Sequence, residues 1–379
     1  MRPGRCSMAH EVQTMFSVGV APWHGLGHVL DRAPSVAEAI KLAGLDWTVS
    51  LRPMWTTLEG GSTPIPVPGQ RAVFRDDAGT ILGTVGDDFV PLQNADAFGW
   101  FEPLVAEGAL ELETAGALRE GRRVWIMARL AGVDPAEIVG SDVVEPFVLM
   151  AHGHEGSLAL RLGFNAVRTV CANTLAAALD DGDGLLCIRH TAGMSDALER
   201  ARRVVARQIE IFRDSAAAWR HLASRTCDDA AFTAYALRVF AQVRGEGERA
   251  EETGPGAQTG RRLLEQVRPL FETGAGNDAA GVRGTWWAAY NAITEWLTHA
   301  RGSAQGTERE RAERRFDSLH LGPGRKLGQR ALLLALDAAD RSPAALPPVP
   351  PHSAEEPAEI LELAPVIAEE PGLLVCNDA

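Results

Sequence analysis

Apolar and polar residues alternate with period two through much of the first half of the chain, and recur at helical spacing through the second. "DWTVSLRPMW" alternates as a half-buried strand should. "RAVFRDDAGTILGTVG" is two β-rich runs around Asp76-Asp77-Ala78-Gly79, which predicts a hairpin. "ALELETAGALREGRRVWIMARL" predicts a second, turning near Glu120-Gly121, and "VEPFVLMAHGHEGSLALRLGFNAVRTVCAN" two or three further strands. Between these lie a loop, "GVAPWHGLGHVLDRAP", and two helices. In "PSVAEAIKLAGL" Ser35 stands as N-cap, Glu38 follows three residues on and Gly44 ends the helix. The other is "ADAFGWFEPLVAEG". After Asn173 the period changes. "MSDALERARRVVARQIEIFRDSAAAWRHLAS" keeps Leu198, Ala201, Val205, Ile209 and Phe212 on one side of a helix. "CDDAAFTAYALRVFAQV", "GTWWAAYNAITEWLTHAR" and "GRKLGQRALLLALDAAD" continue the helical half, and "GEGERAEETGPGAQTG" reads as a mobile loop within it.

The expected architecture is therefore α+β: an antiparallel β-rich domain over 8–190, a helical region over 191–340 packed on it, and a disordered acidic, Pro-rich tail over 341–379. Charge sharpens the last boundary. Seven carboxylates and no Lys or Arg lie beyond Pro343, so seven of the net −13 belong to the tail. An acidic total argues against non-specific coating of nucleic acid but leaves room for a local basic groove. The five cysteines are widely spaced and odd in number, with no CxxC pair, so free thiols in a reducing cytoplasm are expected rather than a disulfide framework or zinc ribbon. No apolar run is long enough to span a membrane, and "MRPGRCSMAHEV" lacks the apolar stretch of a signal peptide.

Candidate chemistry concentrates in "HGHEGSLALRLGFNAVRTVCANTLAAAL". His152, His154 and Glu155 supply donors that zinc or another divalent metal accepts, with His190 or His24 as a possible third ligand. Against this, glycine-flanked histidines also fit an exposed turn. Cys171, near Arg168 and before an apparent helix, has the surroundings of an activated thiol, although such a cysteine also serves as a small buried hydrophobe. An anion-binding surface needs fewer coincidences. Arg161, Arg168 and Arg189 can meet phosphate, and Asn173-Thr174 at a helix start would add free backbone N–H groups. Pairing with nearby carboxylates is the alternative for the arginines, and simple capping for Asn173. Trp125, alternating with Arg123, Met127 and Arg129, and Trp23 in its glycine-rich loop are candidate stacking platforms, or core fillers. In the tryptophan-rich helix, Trp287, Asn291, Glu295 and His299 fall on one line, expected to be a structural, hydrogen-bonded face.

Taken in order, "MAHEVQTMFSVGVAPWHGLG", "AGLDWTV", "VGDDFVPLQNADAF", "TAGALREGRRVWIMARL", the histidine stretch, "IRHT" and "GTWWAAYNAITEWLTH" resemble the phage/plasmid-like proteins, the family called domain of unknown function 932. The resemblance covers about residues 8–340. It implies a setting in mobile elements and a role in DNA replication, recombination or maintenance, with no established activity and no catalytic residue. "HGHEGS" departs from the family pattern, in which an aspartate is expected where Glu155 stands. The leading expectation is a non-enzymatic protein that binds or anneals single-stranded DNA, without a cofactor. Two alternatives stay open. One is a metal-dependent enzyme acting on nucleotides or nucleic acid through His152, His154 and Glu155. The other is an oligomeric interaction or anti-host protein, with the acidic tail meeting a protein partner.

Overall fold

A computed structural model describes residues 15–18, 28–170, 173–175, 185–188, 197–241, 255–302 and 305–342. The chain opens with short strands β1 (Met15–Val18) and β2 (His28–Leu30), then α1 (Val36–Leu42). Ser35 and Glu38 close a reciprocal capping box there, as their spacing predicts. Strands β3 (Val49–Thr56), β4 (Ile65–Arg75) and β5 (Thr80–Gly86) follow, then the single-turn helices α2 (Asn94–Phe98) and α3 (Glu102–Ala106). β6 (Leu110–Leu118), β7 (Arg123–Leu130), β8 (Ala136–Val139), β9 (Asp142–Gly153), β10 (Leu160–Arg168), β11 (Asn173–Leu175) and β12 (Leu185–Ile188) complete the strands. The helical half comprises α4 (Ala197–Ala223), α5 (Asp229–Phe240), α6 (Pro255–Thr273), α7 (Trp286–Glu295), α8 (Glu308–Leu321) and α9 (Pro323–Ala339).

Nine strands form one sheet in the order β11-β10-β9-β7-β6-β1-β2, with β12 also on β10 and β8 on β9; β3-β4-β5 make a second. All pairings are antiparallel except β1 with β2. The α+β expectation holds, with strands first and helices after. Three particulars differ. The segment expected as a leading loop supplies β2, and β1 just precedes it, runs too short for alternation to register. Asn173-Thr174 do not open a helix: they lie in β11, paired with Arg168 and Val167, because ladder bonds to β10 override the local capping signal. The folded body also passes the expected boundary at 340. Ser342 accepts the Trp286 indole N–H on its hydroxyl (2.8 Å), and its carbonyl accepts from Arg225 (3.4 Å). Of the expected mobile loop at 245–260, residues up to 254 lie outside the described part, and α6 occupies the rest. The acidic segment after Ser342 lies outside it too.

One face of the large sheet carries Val124, Ile126, Ala128, Val148, Met150, Leu160 and Leu162 into a core shared with α1 and the second sheet. Gly83 permits the close approach of that second sheet: a Cβ there would stand 2.6 Å from Glu155 Cα. A second core joins α4–α9 to Ile138, Val144 and Ala166 at the other end of the sheet. Its centre is aromatic, with Trp219, Trp287 and Tyr290 fully buried. Each such side chain contributes about 2–3 kcal/mol by removal from water. No helix among the described residues is long and apolar enough to cross a membrane.

Candidate nucleic-acid interface

The histidine stretch ends β9 and turns into β10. His152 and His154 are both fully buried, their rings edge-on at 4.7 Å. His154 Nε2 lies 2.9 Å from Asn94 Oδ1, and its ring is 5.0 Å from Trp47. Glu155 turns away from them. Its carboxylate accepts from Arg123 Nε and from the Ser157 hydroxyl, both at 2.6 Å. Burial alone would raise the Glu155 pKa, but the Ser157 hydroxyl and the Arg123 guanidinium outweigh it and hold it below the ordinary value. Arg123 also bonds Asp317 of α8, which takes Arg119 as well (2.7 Å). No group of three or more His, Cys, Asp or Glu among the described residues is placed to hold a metal ion. The three expected donors therefore do not form a shared ligand set: the carboxylate belongs to an ion-pair chain tying the β6–β7 turn to α8.

Arg168, expected to meet phosphate, is fully buried. Its guanidinium grips Asp142 (Nε to Oδ1 2.8 Å, Nη2 to Oδ2 2.6 Å) and donates to Ala275 O and Asn277 Oδ1, both at 3.1 Å. The Trp287 indole N–H reaches the same carboxylate at 2.7 Å, and the cation lies 5.6 Å from that ring. Gly276 lets the backbone pass: a Cβ there would come within 2.9 Å of Arg168 Nη2. A guanidinium so enclosed joins β9 and β10 to α7 and does not reach a ligand in solvent. The phosphate assignment of Arg168 is corrected accordingly.

Trp125 is corrected too. It does share a strand face with Arg123, Met127 and Arg129, but Phe316 of α8 covers it at 4.5 Å between ring centres, leaving it 4% exposed. Arg161 pairs across β9 with Ala151, which pairs with Trp125, so it belongs to this face and is half-buried. Further along, Arg129 bonds Glu111. Glu113 sits at the β6 bulge between Leu112 and Thr114. Burial, reinforced by the charge of Glu145, pushes its carboxyl up to about 7.

On α7 the expected polar line is fastened internally. Asn291 donates to Trp287 O (2.9 Å), and Glu295 accepts from the Ala275 backbone N–H (3.1 Å). The helix is buried on all sides from Trp286 to Thr294, and a π-helical turn at Trp296–Ala300 takes His299 off the i+4 register.

That turn delivers a feature for which sequence reasoning offered no candidate. Residues 301–330 hold eight cations and four carboxylates in a chain of net −13. Arg301 follows the π-turn, half-buried, donating to the Ser318 hydroxyl (3.3 Å) and lying 6.0 Å from the Trp296 ring centre. No carboxylate among the described residues pairs with it. Its Nη1 would stand 3.0 Å from a Cβ on Gly324, in the first turn of α9, whose backbone N–H donates to Ser318 Oγ (3.2 Å). Burial lowers the Arg301 pKa from its ordinary value. Burial, then the charge of Arg325, pushes His320 down to about 3, so His320 adds no cation of its own near neutral pH. Arg325 and Lys326 follow Gly324 in α9, Arg325 close enough for its charge to act on His320, whereas Arg314 on α8 donates to Gln305 O and lies beside Glu310. The signal was available as "GPGRK", a Gly-Pro helix start followed by two cations.

Trp23, Arg189, Cys171, His190 and His24 lie outside the described residues, as do the side chains of Asn173 and Thr174. What is described defines an α+β protein with a broad, largely antiparallel sheet and a cationic corner where α8 meets α9. The chain belongs to the family described as Domain of unknown function (DUF932), whose model matches residues 81–320. No curated protein and no solved structure matches it.

Proposed function

We propose that the protein is a non-enzymatic binder of single-stranded DNA that engages phosphates at the α8–α9 corner and acts in phage- or plasmid-type DNA metabolism, with strand annealing as its activity. The observation carrying this reading is Arg301. A partly desolvated guanidinium whose described partners are a neutral hydroxyl and an indole face, set against the positive end of a 17-residue helix, is an arrangement that an anion relieves. Arg325 and Lys326 would extend the field to further phosphates, as sequence-tolerant strand binding requires. The mobile-element setting comes from the sequence resemblance.

The test is fluorescence anisotropy of a labelled oligo-dT with the full chain at 50 and 200 mM salt (about the range over which counterion release is read). Arg301→Gln/Lys326→Ala should weaken binding at least about tenfold and reduce the log–log salt slope by about 1.4, as for two lost phosphate contacts. Absence of binding, or binding indifferent to those substitutions, overturns the proposal.

A further inference from the structure

Helix α8 is held more loosely than its neighbours. Among its residues whose burial is described, Leu319 alone is buried, whereas α7 buries nine of its ten. Leu319 reaches the helical core. The hold of α8 on the large sheet is a small apolar cluster apart from both main cores, in which half-buried Phe316 and Leu321 meet Leu118, Trp125, Leu149 and Ala151. Gly306, in left-handed backbone, precedes the helix, and Gly322 ends it before α9. An element with so few buried apolar contacts can open while the rest stays folded.

Two adjacent side chains of this helix occupy four donors. Asp317 takes the guanidinium groups of Arg119 (2.7 Å) and Arg123, from the two sides of the β6–β7 turn. Ser318 takes Arg301 (3.3 Å) and the Gly324 backbone N–H (3.2 Å). Three guanidinium groups and a backbone N–H are the donors with which proteins hold a phosphate backbone. Here a carboxylate and a hydroxyl fill them.

We propose that α8 is a strap: it keeps these donors closed by standing in for a phosphate backbone, and a bound DNA strand displaces it. This rests on the reading of the protein as a single-strand binder. Lifting α8 withdraws Asp317 and Ser318 together, so Arg119, Arg123 and Arg301 are released in one movement. The same movement takes Phe316 off the Trp125 ring. Glu155 stays on Arg123 and holds it in place when Asp317 leaves. The open form thus offers phosphate contacts and a stacking ring that the closed form withholds, and this difference in affinity is what shifts the population.

Hydrogen exchange of the full chain, read by mass spectrometry with and without oligo-dT, tests this, with far-UV circular dichroism as a check on folding. Saturating oligo-dT should speed exchange throughout α8 and leave α7 unchanged. Phe316→Ala, which alters no charge, should bind oligo-dT at least about threefold more tightly, as loss of a closed form predicts, and Arg119→Gln in that background should remove the gain. Asp317→Asn, which spares the apolar contact, should act in the same direction. Protection of α8 by oligo-dT overturns the proposal. So does a Phe316→Ala chain that binds no more tightly, or a gain that survives Arg119→Gln. If no chain binds oligo-dT but Phe316→Ala still speeds the whole of α8 and spares α7 and α9, the single-strand reading fails and the strap stands.

Discussion

Glu113 shows how one residue couples the sheet to pH. Its carboxyl is pushed up to about 7, first by burial and then by Glu145, with Glu111 adding to the effect and Arg129 opposing it. The unfolded chain gives up this proton near the ordinary glutamate value, while the folded chain retains it to about 7. Stability is therefore complete below the unfolded value and is lost as pH rises through the folded one. Glu113→Gln should stabilise the protein at pH 8 by about 1–2 kcal/mol after discounting for partial exposure, and by almost nothing at pH 4. Urea unfolding at the two pH values measures the difference; equal stabilities at pH 8 would mean a solvated carboxylate. Single residues were also where the candidate site was least legible. Arg161 and Arg168 stand seven apart, and an odd separation on a continuous strand puts them on opposite faces. Parity alone would have sent one of them inward. For Trp125, alternation did indicate a mixed face, but not that Phe316, almost two hundred residues on, would cover it.

At the scale of elements, the sequence was most legible where a local signal and a tertiary contact agree. The Ser35–Glu38 box starts α1, and the β6–β7 hairpin turns at Glu120-Gly121 in left-handed backbone. Where the two disagree, tertiary contact prevails, as at Asn173, in which a capping residue before Ala and Leu is drawn into β11. Helix α8 was hidden differently. "ERERAERRFDSLHL" is too polar for hydrophobic spacing to register, yet Thr307 and Glu310 form a capping box that announces its start. The strongest tie between the halves is the Arg168–Asp142 pair with Trp287 and Asn277. Removing one partner strands a buried charge, so Arg168→Ala should cost about 3–5 kcal/mol of unfolding free energy. Arg168→Lys should recover only part of it, because an ammonium cannot reproduce the two-point grip on Asp142. Chemical denaturation decides; a loss below about 1 kcal/mol would mean that water reaches the pair.

For the whole molecule, the deciding quantity is how charge is divided. A chain of net −13 can hold DNA only if its cations are gathered and its carboxylates kept apart, and seven of those carboxylates follow Pro343. The place to separate them is after Ser342, since the Trp286 indole is bonded to that residue; ending the chain at Asp340 removes the contact and should lower the melting temperature. A chain ending at Ser342 should melt with the full protein. If the tail competes for the cationic corner, the shortened chain should bind oligo-dT about three- to tenfold more tightly at 50 mM salt. The advantage should shrink by 200 mM, where screening reaches less than about 10 Å. Equal affinities at low salt would mean that the tail carboxylates act beyond the reach of the corner. Binding would then be governed by Arg301 and its neighbours alone, and the acidic total would be no guide to what the folded body can hold.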